Sequence, residues 1–414
     1  MASRFYGKKS IEVQWPRGWN IQTRLPEKRP FVLDEFDILE DALEQPVGTK
    51  TLDKVISKRD KVLIIVPDSN REFRYEIVIK SVVRKISAIT KNIVFMIVSS
   101  DLNEPYIENE YINFLKSFKD IKKVISDFSG MEFDSSGKTK AGTRIKTNKY
   151  LNAFTKIITI DQINFHDLLG YCGGPETLSN TCSRETIIEN RSLVFEKNNT
   201  RNPRCSAARI KGNRIYEDLI EISANLKPHF NVNVLLDENK KIARVFCGDF
   251  SYSHMDGSKV VMGFYRAIVP RNNVLIASAG GAPFDNTFCE ALKGMLFWYK
   301  TVNPRGAFFY SAECSQGFGN KDMFKWASYP PEVLRQKIIK DFDPIAYTVL
   351  RLKEAQRHCD IFVHSSLPED ELEFLGFKTV NNFPEGLLRL RKYSEGLPEL
   401  SWIPNACQVL GIPG

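Results

Sequence analysis

The stretch HDLLGYCGGPETL, residues 166–178, gathers a histidine, a cysteine, glycines and acids into one turn-like segment. An imidazole titrates near neutrality, so His166 just past a buried strand can serve as a general acid or base, or simply as a structural ring. Cys172 is a nucleophile, a soft metal ligand or a packed thiol. With no second Cys or His nearby to share a metal, the packed thiol is the simpler reading. Gly173 and Gly174 leave room for a ligand to approach. Elsewhere, Asp68 and Arg71 in VPDSNR could present a planar cationic fork to a carboxylate or phosphate, steadied by the acid. The bland alternative is a surface ion pair worth about 0–1 kcal/mol. Gly280 and Gly281 in AGGAPFD could offer backbone N–H groups to an anion, or merely make a tight connection, with Asp285 as N-cap of the helix that follows. Lys293 lies two turns into that helix, as a ligand contact or a solvated side chain. Neither glycine-rich loop contains GxGxxG, so the dinucleotide fingerprint is absent.

The elements that must position these residues are legible from apolar patterning. KVLIIVPDSN (61–70), NIVFMIVSS (92–100) and FTKIITID (154–161) read as strands buried on both faces, each running into a loop. The helix-like segment up to Ala88 between the first two makes a βαβ unit and a parallel sheet. Residues 36–48 and 214–226 read as helices, 229–250 as a hairpin turning at Asp237–Asn239, and 119–150 as edge strands or loop. Further strand-to-loop units begin near 273, 306 and 359. In open α/β sheets ligands collect beyond the carboxyl ends of strands, so the loops carrying Asp68 and Arg71, Asp101 and Asn103, His166 to Gly174, Gly280 to Asp285, and Glu313 to Gly319 are the places for a site.

The predicted fold class is α/β. Two domains, 1–262 and 263–414, would each carry a mainly parallel or mixed sheet flanked by helices, with an active-site cleft between them. Residues after about 395 would form a Pro-bounded tail. With 414 residues and 43% hydrophobic content, the chain can fill more than one core. The net charge of +8 is spread along the sequence and carries no nucleic-acid motif, so no nucleic-acid partner is expected. No apolar run reaches the roughly 18–20 residues of a membrane span, and the eight cysteines form no CxxC pair. These features predict a cytoplasmic protein with no disulfides, no zinc site and no membrane contact.

Taken in order, ALEQPVGTKTL, VPDSNR, AGTRIKTN, HDLLGYCGG, ETIIENR, RNP, NVNVLLDENKKIARVFCGD and SAGGAPFDNTFCEALKG resemble the nickel-pincer lactate racemase family. The resemblance runs from about residue 5 to 320. It implies two α/β domains around a nickel ion, carried by a pyridinium-dithio mononucleotide bound covalently to a lysine in a G-G-x-K loop. Two histidines would be the acid/base pair, a third would ligate nickel, and a 2-hydroxy acid would give a hydride to the cofactor. Carried onto this chain, the lysine is replaced by Glu176, the nickel-ligating histidine by Arg191 and one acid/base histidine by Asn103. His166 matches the remaining acid/base histidine, Asp68 and Arg71 match residues contacting cofactor and substrate, and Lys293 matches a lysine of the second domain. Glu290 stands where the family has glutamine.

A glutamate cannot form the tether, a charged arginine cannot ligate a divalent metal, and asparagine cannot accept a proton on one face of a planar ketone. The resemblance therefore implies a divergent, isomerase-like racemase relative with no cofactor. It would act on a small anionic metabolite clamped by Arg71 and Lys293, with His166 as acid/base, and Glu176 and Arg191 filling the vacated space. One alternative is a 2-hydroxy-acid racemase or epimerase holding the nickel-pincer cofactor non-covalently, with Cys172 and His166 as ligands. The other is a non-catalytic binding protein.

Overall fold

The computed structural model describes residues 2–25, 34–99, 105–128, 130–237, 239–394, 396 and 399–414. Two compact units form, Met1–Lys28 with Phe264–Gly414, and Arg29–Gly263. The first 28 residues thus leave the N-terminal unit in which the sequence placed them. They supply the strands β1 (Ala2–Tyr6) and β2 (Lys9–Val13), an antiparallel pair, and β3 (Ile21–Thr23).

Within Arg29–Gly263, the helices α1 (Glu35–Glu44) and α2 (Leu52–Val55) precede β4 (Val62–Pro67). Then come α3 (Tyr75–Ser87), β5 (Ile93–Val98), α4 (Asn109–Lys116), β6 (Ile121–Ile125), the antiparallel pair β7 (Phe133–Lys138) and β8 (Arg144–Asn148), and β9 (Lys156–Gln162). The segment quoted first folds as a miniature hairpin, β10 (Phe165–His166) against β11 (Gly170–Tyr171), followed by α5 (Gly174–Ser179). The helices α6 (Arg184–Ser192) and α7 (Arg214–Asn225), the strands β12 (Phe230–Leu236) and β13 (Ile242–Gly248), and α8 (Phe250–Phe264) complete the unit.

Its six-stranded sheet has the order β13-β12-β9-β4-β5-β6, parallel except for β13. Alternation through β4 shows why the apolar run is continuous. Val62, Ile64 and Val66 enter one core with Ile158, Ile160, Val232 and Val234, while Leu63 and Ile65 enter the core on the opposite face with Leu178, Ile187 and Ile222. Later strands are added on one side of β4 by β5 and β6, and on the other by β9 and β12. The order therefore reverses between β4 and β9, a topological switch point whose carboxyl-end crevice is the usual ligand seat of such sheets.

The other unit continues with β14 (Arg266–Val269), β15 (Asn272–Ser278), α9 (Phe288–Trp298), β16 (Val302–Ser311), β17 (Asp360–His364), β18 (Lys378–Thr379), β19 (Leu400–Ile403) and β20 (Leu410–Pro413). Its parallel sheet runs β18-β17-β16-β15-β19-β3. Two expectations change here. Residues 399–414 are no tail: β19 is an interior strand with Trp402 fully buried beneath Trp15 and Phe383, and β20 pairs with β14. Nor is Asp285 the cap of α9. Thr287 caps it, accepting from Glu290 N at 3.3 Å, because the Asp285 carboxylate already accepts from Gly7 N at 2.9 Å and Glu313 N at 3.0 Å.

Candidate active site

The carboxyl end of β4 delivers Asp68 and Arg71, and that of β9 delivers Asp161, on either side of the switch point. The hairpin and α5 then bring His166 and Glu176 to the same place. Arg71 Nη2 lies 3.2 Å from Glu176 Oε2, and Arg71 Nε lies 3.8 Å from Asp161 Oδ1. The other Glu176 oxygen, Oε1, is 3.4 Å from His166 Nε2. Arg71 thus joins three residues that follow it some ninety or more positions later in one cluster, in which the side chains of Asp161 and Glu176 are only 1% and 3% exposed.

Local geometry fixes the histidine. Its Nδ1 accepts from Leu168 N at 3.1 Å and Leu169 N at 3.2 Å, so in the neutral ring the proton sits on Nε2, facing Glu176. Asp167 Oδ1 lies 3.3 Å from the same Nδ1. The turn into α5 needs glycine. Gly173 has φ +117°, and a Cβ there would meet Asn233 Oδ1 at 2.8 Å; one on Gly174 would meet Asn231 Oδ1 at 2.4 Å.

The two carboxylates beside Arg71 are driven in opposite directions. Burial would raise Glu176, but the Arg71 guanidinium, His166 and Arg191 outweigh it and hold the carboxyl well below the usual range. For Asp161 burial wins. Arg71, lying farther off, and the Thr177 hydroxyl offset it incompletely, Glu176 adds repulsion, and the group is pushed up to about 6. Burial lowers Arg191 against the pull of Glu176, Asp167 and Asp218. Arg191 hydrogen-bonds Asn190 Oδ1; toward Glu176 it acts by charge, while the direct ion pairs of Glu176 are those to Arg71 and His166.

The remaining sequence-predicted residues fall elsewhere. Asp68, fully buried, accepts from Asn70 N in its own loop and from Tyr106 N in the segment between β5 and α4, and so ties the two together. Asn103 lies outside the described residues. Cys172 is a buried thiol donating to Gln162 O at 3.6 Å, and burial pushes it up to about 12, so it keeps its proton rather than offering a thiolate. Lys293 and Glu290 belong to the other unit, where they pair with each other at 2.5 Å. In the AGGAPFD turn, Gly280 N donates to Ser278 Oγ and Ala282 N to Gly7 O, while Gly281 packs against Phe5, so part of the expected anion nest is taken up by the protein's own N-terminal strand.

Sequence reading missed Asp161. Its signal was present in ITID, where Thr159 and Asp161 alternate with isoleucines and so place polar groups on one face of a central strand. It also missed His254, fully buried on α8.

The switch-point cluster defines a class, a doubly wound α/β protein with a buried ion-pair site. Comparison with known proteins narrows it. Residues 6–202 match the lactate racemase N-terminal domain. The lactate racemase of Thermoanaerobacterium thermosaccharolyticum is 24% identical over 325 residues, covering 74% of this chain and 73% of that protein. The lactate racemase of Lactiplantibacillus plantarum is 24% identical over 299 residues, 70% and 69% of the two chains. The solved lactate racemase apoprotein from T. thermosaccharolyticum shares the fold with a TM-score of 0.83 at 19% identity, over 99% of each chain. A Thermotoga maritima protein matches with a TM-score of 0.68 at 15% identity, over 94% of this chain and 100% of that one. Residues 6–202 thus resemble a lactate racemase N-terminal domain, and the chain as a whole is similar to lactate racemases in sequence and shares their fold.

The nickel-pincer group implied by the family does not fit the residues present. Where the resemblance places the tethering lysine stands Glu176, a carboxylate already ion-paired on both oxygens, and burial holds the Cys172 thiol in its protonated form. Among the described residues no helix is long and apolar enough to cross a membrane.

Proposed function

We propose that the chain is a lactate racemase-like enzyme that has given up the covalently held cofactor and acts on a small carboxylate- or phosphate-bearing ligand at the switch point of Arg29–Gly263. The observation that carries this reading is Glu176, a buried carboxylate seated between Arg71 and His166 where the family resemblance calls for a lysine. Two cationic or proton-donating groups already converge there on one carboxylate, and a ligand anion needs the same two partners. Arg71 would orient the ligand. The proton on His166 Nε2, shared with Glu176, would be the one given up or regained, a single-proton transfer of the kind general acid–base catalysis uses. His166 is the most accessible member, its side chain 20% exposed against 10% for Arg71.

The test is a thermal-shift panel of 2-hydroxy acids, dicarboxylates and phosphorylated metabolites, followed by proton exchange at the carbon α to the carboxylate in deuterated water. The reading expects stabilisation by one ligand class that is lost in Arg71→Ala, and exchange that is lost in His166→Ala. Stabilisation by no anion, or stabilisation indifferent to Arg71, overturns it. If an anion binds but no bond to the ligand changes, the protein is a binding module on the same fold.

A further inference from the structure

Beneath the Gly173–Gly174 turn lies a buried polar layer that shares only Asp161 with the ion cluster. The register of β9 against β12 sets Thr159 beside Asn231 and Asp161 beside Asn233. All four are fully or almost fully buried, on the sheet face opposite the one that Ile158, Ile160, Val232 and Val234 give to a hydrophobic core. Thr159 Oγ1 donates to Asn231 Oδ1 at 2.7 Å, Asn231 Nδ2 donates to Ser253 Oγ at 2.9 Å, and Gly174 N donates to Asn233 Oδ1 at 3.1 Å.

The next residue of α8 is His254, only 1% exposed. Its Nε2 lies 3.1 Å from the Cys172 carbonyl and its Nδ1 lies 3.1 Å from the Tyr216 hydroxyl, the two rings being stacked. A carbonyl only accepts, so Nε2 must carry the proton. In the neutral ring Nδ1 is then an acceptor, and the tyrosine hydroxyl donates to it. Burial lowers the ring to about 4, in keeping with neutrality. The ring edge also explains the glycine that follows, since a Cβ on Gly173 would lie 3.3 Å from His254 Cδ2.

We propose that His254 is a positioning residue for Glu176. Oriented by Tyr216, it holds the Cys172 carbonyl while Asn233 holds the Gly174 N–H, so α5 begins where the Glu176 carboxylate meets Arg71 and His166. Such a buried carbonyl-to-imidazole-to-hydroxyl relay has the form of the outer contacts that orient reactive groups in other sites. As a statement about function, this rests on the reading that Glu176, Arg71 and His166 form the working site.

The experiment records imidazole ¹⁵N–¹H correlation spectra of the full chain at one fixed pH, with assignment by substitution among the five histidines. The wild type should show His254 as the Nε2–H tautomer. His254→Leu should move or broaden the His166 resonances, whereas His254→Gln, whose carboxamide still has an N–H for the Cys172 carbonyl, should keep them close to wild type. Tyr216→Phe should disturb the His254 tautomer and, through it, His166, and it tests the relay even if His254→Leu fails to fold. Inorganic phosphate serves as the binding probe, with an expected weakening of about tenfold in His254→Leu and recovery in His254→Gln. Unchanged His166 resonances in both His254→Leu and Tyr216→Phe, or a glutamine variant no better than leucine, overturn the proposal. If wild-type protein ignores phosphate and every other anion, the functional reading fails, while the His166 spectra still decide the positioning role.

Discussion

If Glu176 and Arg71 are a genuine buried pair, their removal must be strongly non-additive. At 3.2 Å, with side chains 3% and 10% exposed, the gross attraction is about 5 kcal/mol at an effective dielectric of about 20. Desolvation of both groups consumes much of that. Yet breaking the pair from one side leaves an uncompensated buried charge, at about 3–5 kcal/mol. Arg71→Met should therefore be costly, because it strands both Glu176 and Asp161. Glu176→Gln should cost less, since Asp161 remains to balance Arg71. The double variant should recover a coupling of about 2–3 kcal/mol relative to the sum of the singles. Urea unfolding followed by far-UV circular dichroism measures this. An internal control comes with it: all five tryptophans lie in the unit made of Met1–Lys28 and Phe264–Gly414, so their fluorescence reports the other unit. The loss should appear in the dichroism transition and leave the fluorescence transition in place. A coupling below about 0.5 kcal/mol, the range of exposed pairs, would refute the reasoning.

Asp161 and Cys172 give further tests. The folded-state value of Asp161 is raised to about 6, so between about pH 4 and pH 6 the native state binds the extra proton, and stability contributed by this group falls as pH rises through that window. Asp161→Asn should remove the slope, gaining on wild type by about 2 kcal/mol from pH 4.5 to pH 7.5; a parallel pH profile for the two proteins would contradict this. Because burial pushes the Cys172 thiol up to about 12, it should resist iodoacetamide in native protein at pH 8 and react after unfolding in urea, as peptide mapping by mass would show. Rapid native alkylation at Cys172 would count against the protonated, packed thiol.

Much of the fold was written in local pattern. The runs at 62–66, 93–98 and 157–160 had to be doubly buried strands, and all three are neighbours in one sheet. What failed was long-range. Nothing local says that Ile21–Thr23 pairs, as the sheet's edge strand, with β19 almost 380 positions later, or that Trp402 sits in an interior strand, because such pairings depend on loop closure rather than propensity. The site divides in the same way. His166, Arg71 and Glu176 were legible because loops at strand ends and a departure from a family pattern point to them. Asp161 was read as the end of an apolar strand, and its role depends on Arg71 arriving from β4. His254 is one polar residue in a helix whose other buried members include Phe250 and Val261, and only the packing of α8 on the glycine turn gives it a partner. Glu176 and Arg191 were expected to fill the vacated space together, but Glu176 pairs with Arg71 and His166, because those two side chains arrive within ion-pair distance from nearby loops.

The central claim is that Glu176 has replaced a covalent cofactor anchor with an internal ion pair. The most direct measurement is intact mass together with nickel content, on full-length protein produced in cells able to make the nickel-pincer nucleotide. The account predicts the unmodified mass of the chain and nickel far below one per chain. A covalent adduct of nucleotide mass, or one nickel per chain that survives gel filtration, would contradict it.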